Sequence, residues 1–228
     1  MSGRVRGWAA VARARVGSGA SAQGFYAQHL RSGDLVFDIG AHQGRHTRAM
    51  VHRGARVVAL EPQASLARDL AEHFPEVTVL SAAVGDQCGT AVMHTSSAHS
   101  ELSTLNEAWA NDADEIGAAW DCRQTVRVTT LDELIARFGR PELVKIDTEG
   151  YEDRVLAGIS QPVRQVLFEV HASLREVAAS AFEHLGRLGH YEYRVMERES
   201  WILGPCTTAD AVMSSLPSWG DVYARQVR

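Results

Sequence analysis

The chain has 228 residues, of which 45% are apolar and 22% charged, with a formal charge of −5. That length suits one α/β domain with a buried core. No apolar run reaches the length of a membrane helix, no signal-like apolar stretch follows the first arginines, and the acidic balance argues against a face that covers nucleic acid. The expectation is a cytoplasmic protein with no nucleic-acid or membrane partner. Its oligomeric state is left open, a homodimer included. Cys88, Cys122 and Cys206 are far apart and form no CxxC pair, so no zinc cage or disulfide framework is expected.

Residues 1–33 contain Arg4, Arg6, Arg13, Arg15 and Arg31 and no acid. They read as an arginine-rich arm or helix ahead of a domain over 34–228. From Leu35 onward strands and helices alternate. Leu35–Ile39 is a buried parallel strand stopped by glycine, Arg45–Arg53 a helix, Arg56–Leu60 a strand, Ala64–Phe74 a helix ended by Pro75, and Val77–Leu80 a third strand. Between Cys88 and Val128 the pattern loosens. Strands are expected near Ala91–His94 and Thr125–Thr129. Residues 95–124 form an irregular acidic insertion with Trp109 and Trp120, which either cover an acceptor or anchor the segment to the core.

Thr130–Glu133 and Ser173–Glu176 fit capping boxes that open helices. Strands follow at Leu143–Ile146 and Val166–Val170, with a helix from about Tyr151 to Leu156 between them, and Tyr191–Met196 with Trp201–Leu203 reads as a closing hairpin. The alternation predicts an α/β, Rossmann-like fold with a mostly parallel sheet covered by helices on both faces. Its chemistry then belongs at the carboxyl ends of the strands, where the strand order reverses.

Two strand ends carry ligand chemistry. Val36-Phe37-Asp38-Ile39-Gly40-Ala41-His42-Gln43-Gly44 brings backbone close to a ligand and opens a helix, whose first N–H groups accept an anion. It lacks the GxGxxG of a dinucleotide site, because position 42 is histidine. Asp38 either receives a ligand ammonium or braces its own loop. Val58-Ala59-Leu60-Glu61-Pro62 places Glu61 at 21 residues (61 − 40) past Gly40, where a carboxylate holds ribose hydroxyls. Adenosine carrying an amino acid fits both ends.

These segments, with Ser81-Ala82-Ala83-Val84-Gly85-Asp86, Val144-Lys145-Ile146-Asp147-Thr148-Glu149-Gly150-Tyr151-Glu152 and Leu167-Phe168-Glu169-Val170, resemble the FkbM family of methyltransferases over roughly Gly33 to His171. The resemblance implies S-adenosylmethionine as cofactor, S-adenosylhomocysteine as product, a class I methyltransferase fold with a seven-stranded sheet, and methylation of a hydroxyl on a sugar or natural-product scaffold. It implies that Asp38, Gly40, Ala41, His42 and Gly44 surround the methionine part, that Glu61 and Pro62 meet the ribose, that Ala83 and Val84 lie near the adenine with Asp86 nearby, and that Asp147 borders the cofactor. His42 and Gln43 fill loop positions where the family often has smaller or aliphatic residues, and Arg45-His46 replaces the aromatic or small residues usual there.

The candidate base is His171, for its near-neutral pKa, with Asp147 second as an acceptor-orienting carboxylate and Glu149 beside it. Glu149 and Glu152 are also placed to interact with the start of the following helix. Glu169 is placed to pair with Lys145, the only lysine of the chain. Asp147, Glu169 and His171 could gather around a divalent metal, but no ligand spacing requires one and none is expected. His94 and His99 sit in the irregular segment. The competing readings are an N-methyltransferase, an RNA methyltransferase and a non-catalytic cofactor-binding partner of the same fold.

Overall fold

The computed structural model describes residues 19–111, 120–197 and 201–227. The first part of the arginine-rich arm, with Arg4, Arg6, Arg13 and Arg15, lies outside them, as do Asp112, Asp114 and Glu115 of the insertion. In chain order the elements are α1 Gly19–His29, β1 Leu35–Ile39, α2 Arg45–His52, β2 Arg56–Leu60, α3 Ala64–His73, β3 Thr78–Leu80, β4 Ala83–Val84, β5 Gly89–Thr95, α4 Glu107–Asn111 and β6 Cys122–Thr129. There follow α5 Leu131–Phe138, β7 Leu143–Ile146, α6 Glu152–Ala157, β8 Gln165–Val170, α7 Arg175–Leu188, β9 Tyr191–Glu197, β10 Ile202–Leu203, α8 Ala209–Ser214 and β11 Gly220–Gln226.

The main sheet runs β10-β9-β11-β8-β7-β1-β2-β3. Strands β3, β2, β1, β7 and β8 run parallel to one another, and β11 is antiparallel to both β8 and β9. The sheet has eight strands, one more than the seven the resemblance implied, and the two-residue β10 pairs with the end of β9 as the second arm of the expected hairpin. The sequence reading omitted β11, which lies between β8 and β9. A small sheet, β4-β6-β5, holds the two strands expected in the loosened region.

The run Leu35–Ile39 is buried at every position, as a central parallel strand requires. Alternation sends Leu35, Phe37 and Ile39 into one core layer with Leu131 and Leu134 of α5, Val155 of α6 and Phe182 of α7. Val36 points to the other layer, with Phe25 and Tyr26 of α1, Met50 of α2 and Leu70 of α3. Asp38 shares that second face, which brings it under α2. Thr130 caps α5 as expected, its hydroxyl accepting from the Glu133 amide at 3.2 Å. The box at Ser173 does not form: a 3-10 turn at Ala172–Leu174 precedes α7, and His171 caps that turn instead.

Candidate active site

The strand order reverses between β1 and β7, and a cavity of about 360 Å³ opens there above the strand ends. Its floor is the β1 loop. Gly40 has φ +73, and a Cβ at this position would come within 1.9 Å of the Asp147 carbonyl oxygen, so only glycine lets the β1 and β7 loops touch. Gly44 has φ +78 and packs against Leu70 of α3 and Phe74 just past its end. It fits the loop to a helix and is not part of the lining. His42 is a non-glycine residue with φ +49, held by its amide donating to Glu61 Oε2 at 2.9 Å and by a 3.0 Å bond between Nε2 and Ser100 Oγ.

Glu61 is 3% exposed, and its other oxygen accepts from the Gln63 amide at 2.9 Å. Burial pushes its pKa up, while those two backbone N–H groups pull it back. Each oxygen retains a second lone pair toward the cavity. Ala83, Val84, Met93 and Leu105 give the lining an apolar part on the far side of Glu61. Asp86 is not in the lining; it pairs with Arg154 at 3.1 Å.

Asp38 is fully buried and also lies outside the lining. Its Oδ2 accepts from the Thr47 hydroxyl at 2.6 Å and its Oδ1 is 3.2 Å from Lys145 Nζ. These contacts match the bracing role that the sequence allowed for Asp38. Lys145 also donates to the Gly40 carbonyl at 2.8 Å and lies 3.6 Å from Asp147 Oδ2, so one ammonium ties the β1 loop to β7. Proximity of Asp38 and Asp147 raises its pKa against the opposing effect of burial. The expected Lys145–Glu169 pair is replaced by this one; the Glu169 carboxylate accepts from Trp219 Nε1.

Asp147, Thr148, Glu149 and Tyr151 line the cavity on the β7 side. His171 does not. Its Nδ1 accepts from the Ser173 amide at 3.2 Å. The ring stands between Trp109 and Trp219, with centroids 5.3 and 5.6 Å away. Of the two candidate bases, Asp147 lines the cavity and His171 lies outside its lining.

The insertion crosses the cavity mouth. Ser100, Glu101, Ser103 and Leu105 line it, and the strap is tied at both ends. Gln63 Nε2 donates to the Ser100 carbonyl at 3.0 Å, the Thr104 hydroxyl to the Glu149 carbonyl at 2.7 Å, and Asn106 Nδ2 to the Gly150 carbonyl at 2.8 Å. Trp120 Nε1 donates to the Leu102 carbonyl at 2.6 Å, and Trp109 is 7% exposed, so both tryptophans anchor the strap. His94 is buried in β5, and His99 is exposed beside Glu101; neither lines the cavity.

The Methyltransferase FkbM domain matches residues 38–195. This chain belongs to the FkbM methyltransferase family. The 31-O-demethyl-FK506 methyltransferase FkbM of Streptomyces tacrolimicus is 33% identical over 185 residues, 66% of this chain and 71% of that one. A TehB-like S-adenosylmethionine-dependent methyltransferase from Corynebacterium glutamicum superposes with a TM-score of 0.51 at 12% identity, over 91% of this chain and 88% of that one. The fold is therefore that of class I methyltransferases, and this FkbM-family chain is an S-adenosylmethionine-dependent methyltransferase.

One further grouping belongs to the site. Ligand oxygens of Asp147, Glu149 and Glu169 lie within 4.8 Å of one another, close enough to share a divalent cation. His171, placed in such a group by the sequence reading, is replaced by Glu149. Glu149 gets there through φ +55, a left-handed turn that residue spacing does not reveal. Gln63, Met93, Ser100, Tyr151 and Trp219 were also missed, since each is positioned by contacts between distant segments.

Proposed function

We propose that this FkbM-family chain methylates a hydroxyl oxygen of a small molecule, a sugar or natural-product scaffold, with Asp147 as general base and Glu149 orienting the acceptor. The observation that carries this reading is that both carboxylates line the same cavity as Glu61 and the β1 loop. The cavity suits S-adenosylmethionine by its donor set. Glu61 keeps acceptor capacity for two ribose hydroxyls, and Ala83, Val84, Met93 and Leu105 offer an apolar slot for adenine.

When bound, the cofactor supplies a methyl group activated by its sulfonium. The chain's own residues do the rest. Glu61 and the His42 amide fix the ribose end, the strap at 100–106 excludes water, and the Asp147 carboxylate takes the acceptor proton as the oxygen becomes nucleophilic. Lys145, 3.6 Å from Asp147 Oδ2, holds that carboxylate in place before the proton arrives. The name of the Streptomyces relative, a methyltransferase of an O-demethylated compound, supports an oxygen acceptor. Transfer to RNA has less support, because four of the six Asp, Glu, Arg and Lys side chains in the lining are acids.

The test is a screen of hydroxylated sugars and macrocyclic alcohols with S-adenosylmethionine, read by mass spectrometry with fragmentation that locates the added methyl. The expected product carries it on oxygen, and Asp147→Asn lowers kcat at least about 100-fold while cofactor affinity stays unchanged. Methyl found on nitrogen, or full turnover in Asp147→Asn, overturns the reading. Dialysis against EDTA is expected to leave turnover intact. Loss of activity restored by Mg²⁺ would instead assign Asp147, Glu149 and Glu169 as cation ligands.

A further inference from the structure

The cavity wall on the β7 side is carried by a turn. Asp147 is still fastened to the sheet: its amide donates to the Ile39 carbonyl at 3.1 Å, and Lys145 stands beside its carboxylate. Thr148 and Glu149 also line the cavity, but they lie beyond that last bond of the β1–β7 ladder. They enter a turn in which Glu149 has φ +55 and Gly150 φ +90. Two successive left-handed residues, one of them not glycine, persist only where the surrounding structure holds them.

The groups that hold this turn come from two sides. Glu152, the first residue of α6, reaches back: its Oε1 accepts from the Thr148 amide and hydroxyl, each at 2.9 Å, and from the Gly150 amide at 3.3 Å. From the strap, the Thr104 hydroxyl donates to the Glu149 carbonyl at 2.7 Å, and Asn106 Nδ2 to the Gly150 carbonyl at 2.8 Å. Two amides of the turn are thus taken on one side and two carbonyls on the other. Both sides are themselves fixed. Glu152 and Thr104 are buried, and Thr104 exchanges two backbone bonds with His94 of β5, at 2.8 and 2.9 Å. Its hydroxyl also accepts from the Asn106 amide at 2.9 Å, and Asn106 Oδ1 accepts from the Trp109 amide at 3.1 Å. Glu152, Thr104 and Asn106 all lie outside the cavity lining, so their influence on a bound molecule passes through the turn.

We propose that Glu152 and Thr104 are positioning residues for methyl transfer: they clamp the 148–150 turn from its two sides and so fix where Thr148 and Glu149 stand in the wall that meets the acceptor. This rests on the assignment above of the β7 side of the cavity to the acceptor. Among the described residues, neither Glu152 nor Thr104 bonds to Glu61 or to the β1 loop. Loosening the clamp therefore disturbs the acceptor side and spares the cofactor side.

The test uses the full chain and two pairs of variants. Glu152→Met keeps the volume and removes the accepting oxygen, while Glu152→Gln keeps an oxygen. Thr104→Val removes the hydroxyl, while Thr104→Ser keeps it. The measurements are amide hydrogen exchange at residues 148–150, affinity for S-adenosylhomocysteine by calorimetry, and kcat/KM for the sugar or macrocyclic alcohol that the unaltered chain methylates. Glu152→Met and Thr104→Val are expected to speed exchange at the turn at least about tenfold and to lower kcat/KM about tenfold to a hundredfold. Their affinity for S-adenosylhomocysteine should stay within about threefold of the unaltered chain, and Glu152→Gln and Thr104→Ser should bring turnover back to within about threefold. Unchanged exchange at the turn, or unchanged turnover, in Glu152→Met and Thr104→Val overturns the proposal. Equal losses of cofactor affinity and turnover, or no recovery in the conservative variants, overturn it as well, since a general loss of structure behaves in that way. If Glu152→Met does not fold, the Thr104 pair decides. An unaltered chain that methylates no member of the panel, or full turnover in Asp147→Asn, defeats the assignment of the acceptor side and this proposal with it; loss in Asp147→Asn with full turnover in Glu152→Met and Thr104→Val defeats this proposal alone.

Discussion

Glu152 has 3% of its surface exposed, and a single carboxylate oxygen accepts three bonds: from the Thr148 amide and hydroxyl, each at 2.9 Å, and from the Gly150 amide at 3.3 Å. The side chain folds back from α6 onto the loop that carries Asp147 and Glu149. Burial, with a smaller push from Asp147, raises its pKa from 4.5 to about 7. A carboxyl with a folded pKa above its unfolded value binds more protons when folded, so it costs stability as pH rises between the two values. Glu152→Gln keeps an oxygen for the three donors and removes the buried charge. It should match the wild type in stability at about pH 4.5 and exceed it at pH 8 by an amount on the order of a few kcal/mol, seen as a higher melting temperature there. Thermal melts at the two pH values check this; a constant gap would remove ionisation of Glu152 as the cause. The sequence places Glu152 at a helix start, but its partners depend on Glu149 at φ +55 and Gly150 at φ +90, which spacing alone does not encode. His171 shows the same limit. Its strand-end position was readable, yet the use of Nδ1 follows from the turn after it.

The elements that position the cavity were largely written in local pattern. Apolar runs stopped by Gly40 and Glu61 marked β1 and β2, and Thr130 and Gly139 marked both ends of α5. Gly40 makes the junction of two such elements testable. Alanine there meets both a left-handed backbone and the Asp147 carbonyl, and should cost about 3 kcal/mol or more. Gly33, at φ +87 with nothing near its missing Cβ, provides the control: alanine there should cost only the backbone term, about 1 kcal/mol. Denaturant unfolding of the two variants measures the difference, and equal costs would show that contact between the loops is not what demands glycine. The strap at 100–106 was readable as an insertion but not as a clasp. Its bonds run to Gln63, Glu149 and Gly150 from side chains with no local periodicity.

At the scale of the molecule, the hidden element is β11. Gly220–Gln226 mixes Asp221, Arg225 and Gln226 with Val222, Tyr223 and Ala224, and stands apart from the regular alternation upstream. It nevertheless pairs with β8 on one side and β9 on the other, and Val222, Tyr223 and Ala224 are buried. Only the assembled sheet reveals that a late antiparallel strand separates two earlier ones. Removing residues 217–228 would expose both flanking edges and take away Trp219 from Glu169. The truncated chain should lose its cooperative melt and aggregate on size-exclusion chromatography. A monomeric, cooperatively melting product would mean that β8 and β9 can pair directly.

The ammonium that ties β1 to β7 belongs to the only lysine in the sequence, and it is 3% exposed. Reductive methylation or an activated ester therefore has no side-chain amine to modify on the folded surface. Such reagents become a reporter of opening: uptake at Lys145, followed by peptide mapping, counts the excursions in which the β1 and β7 loops part.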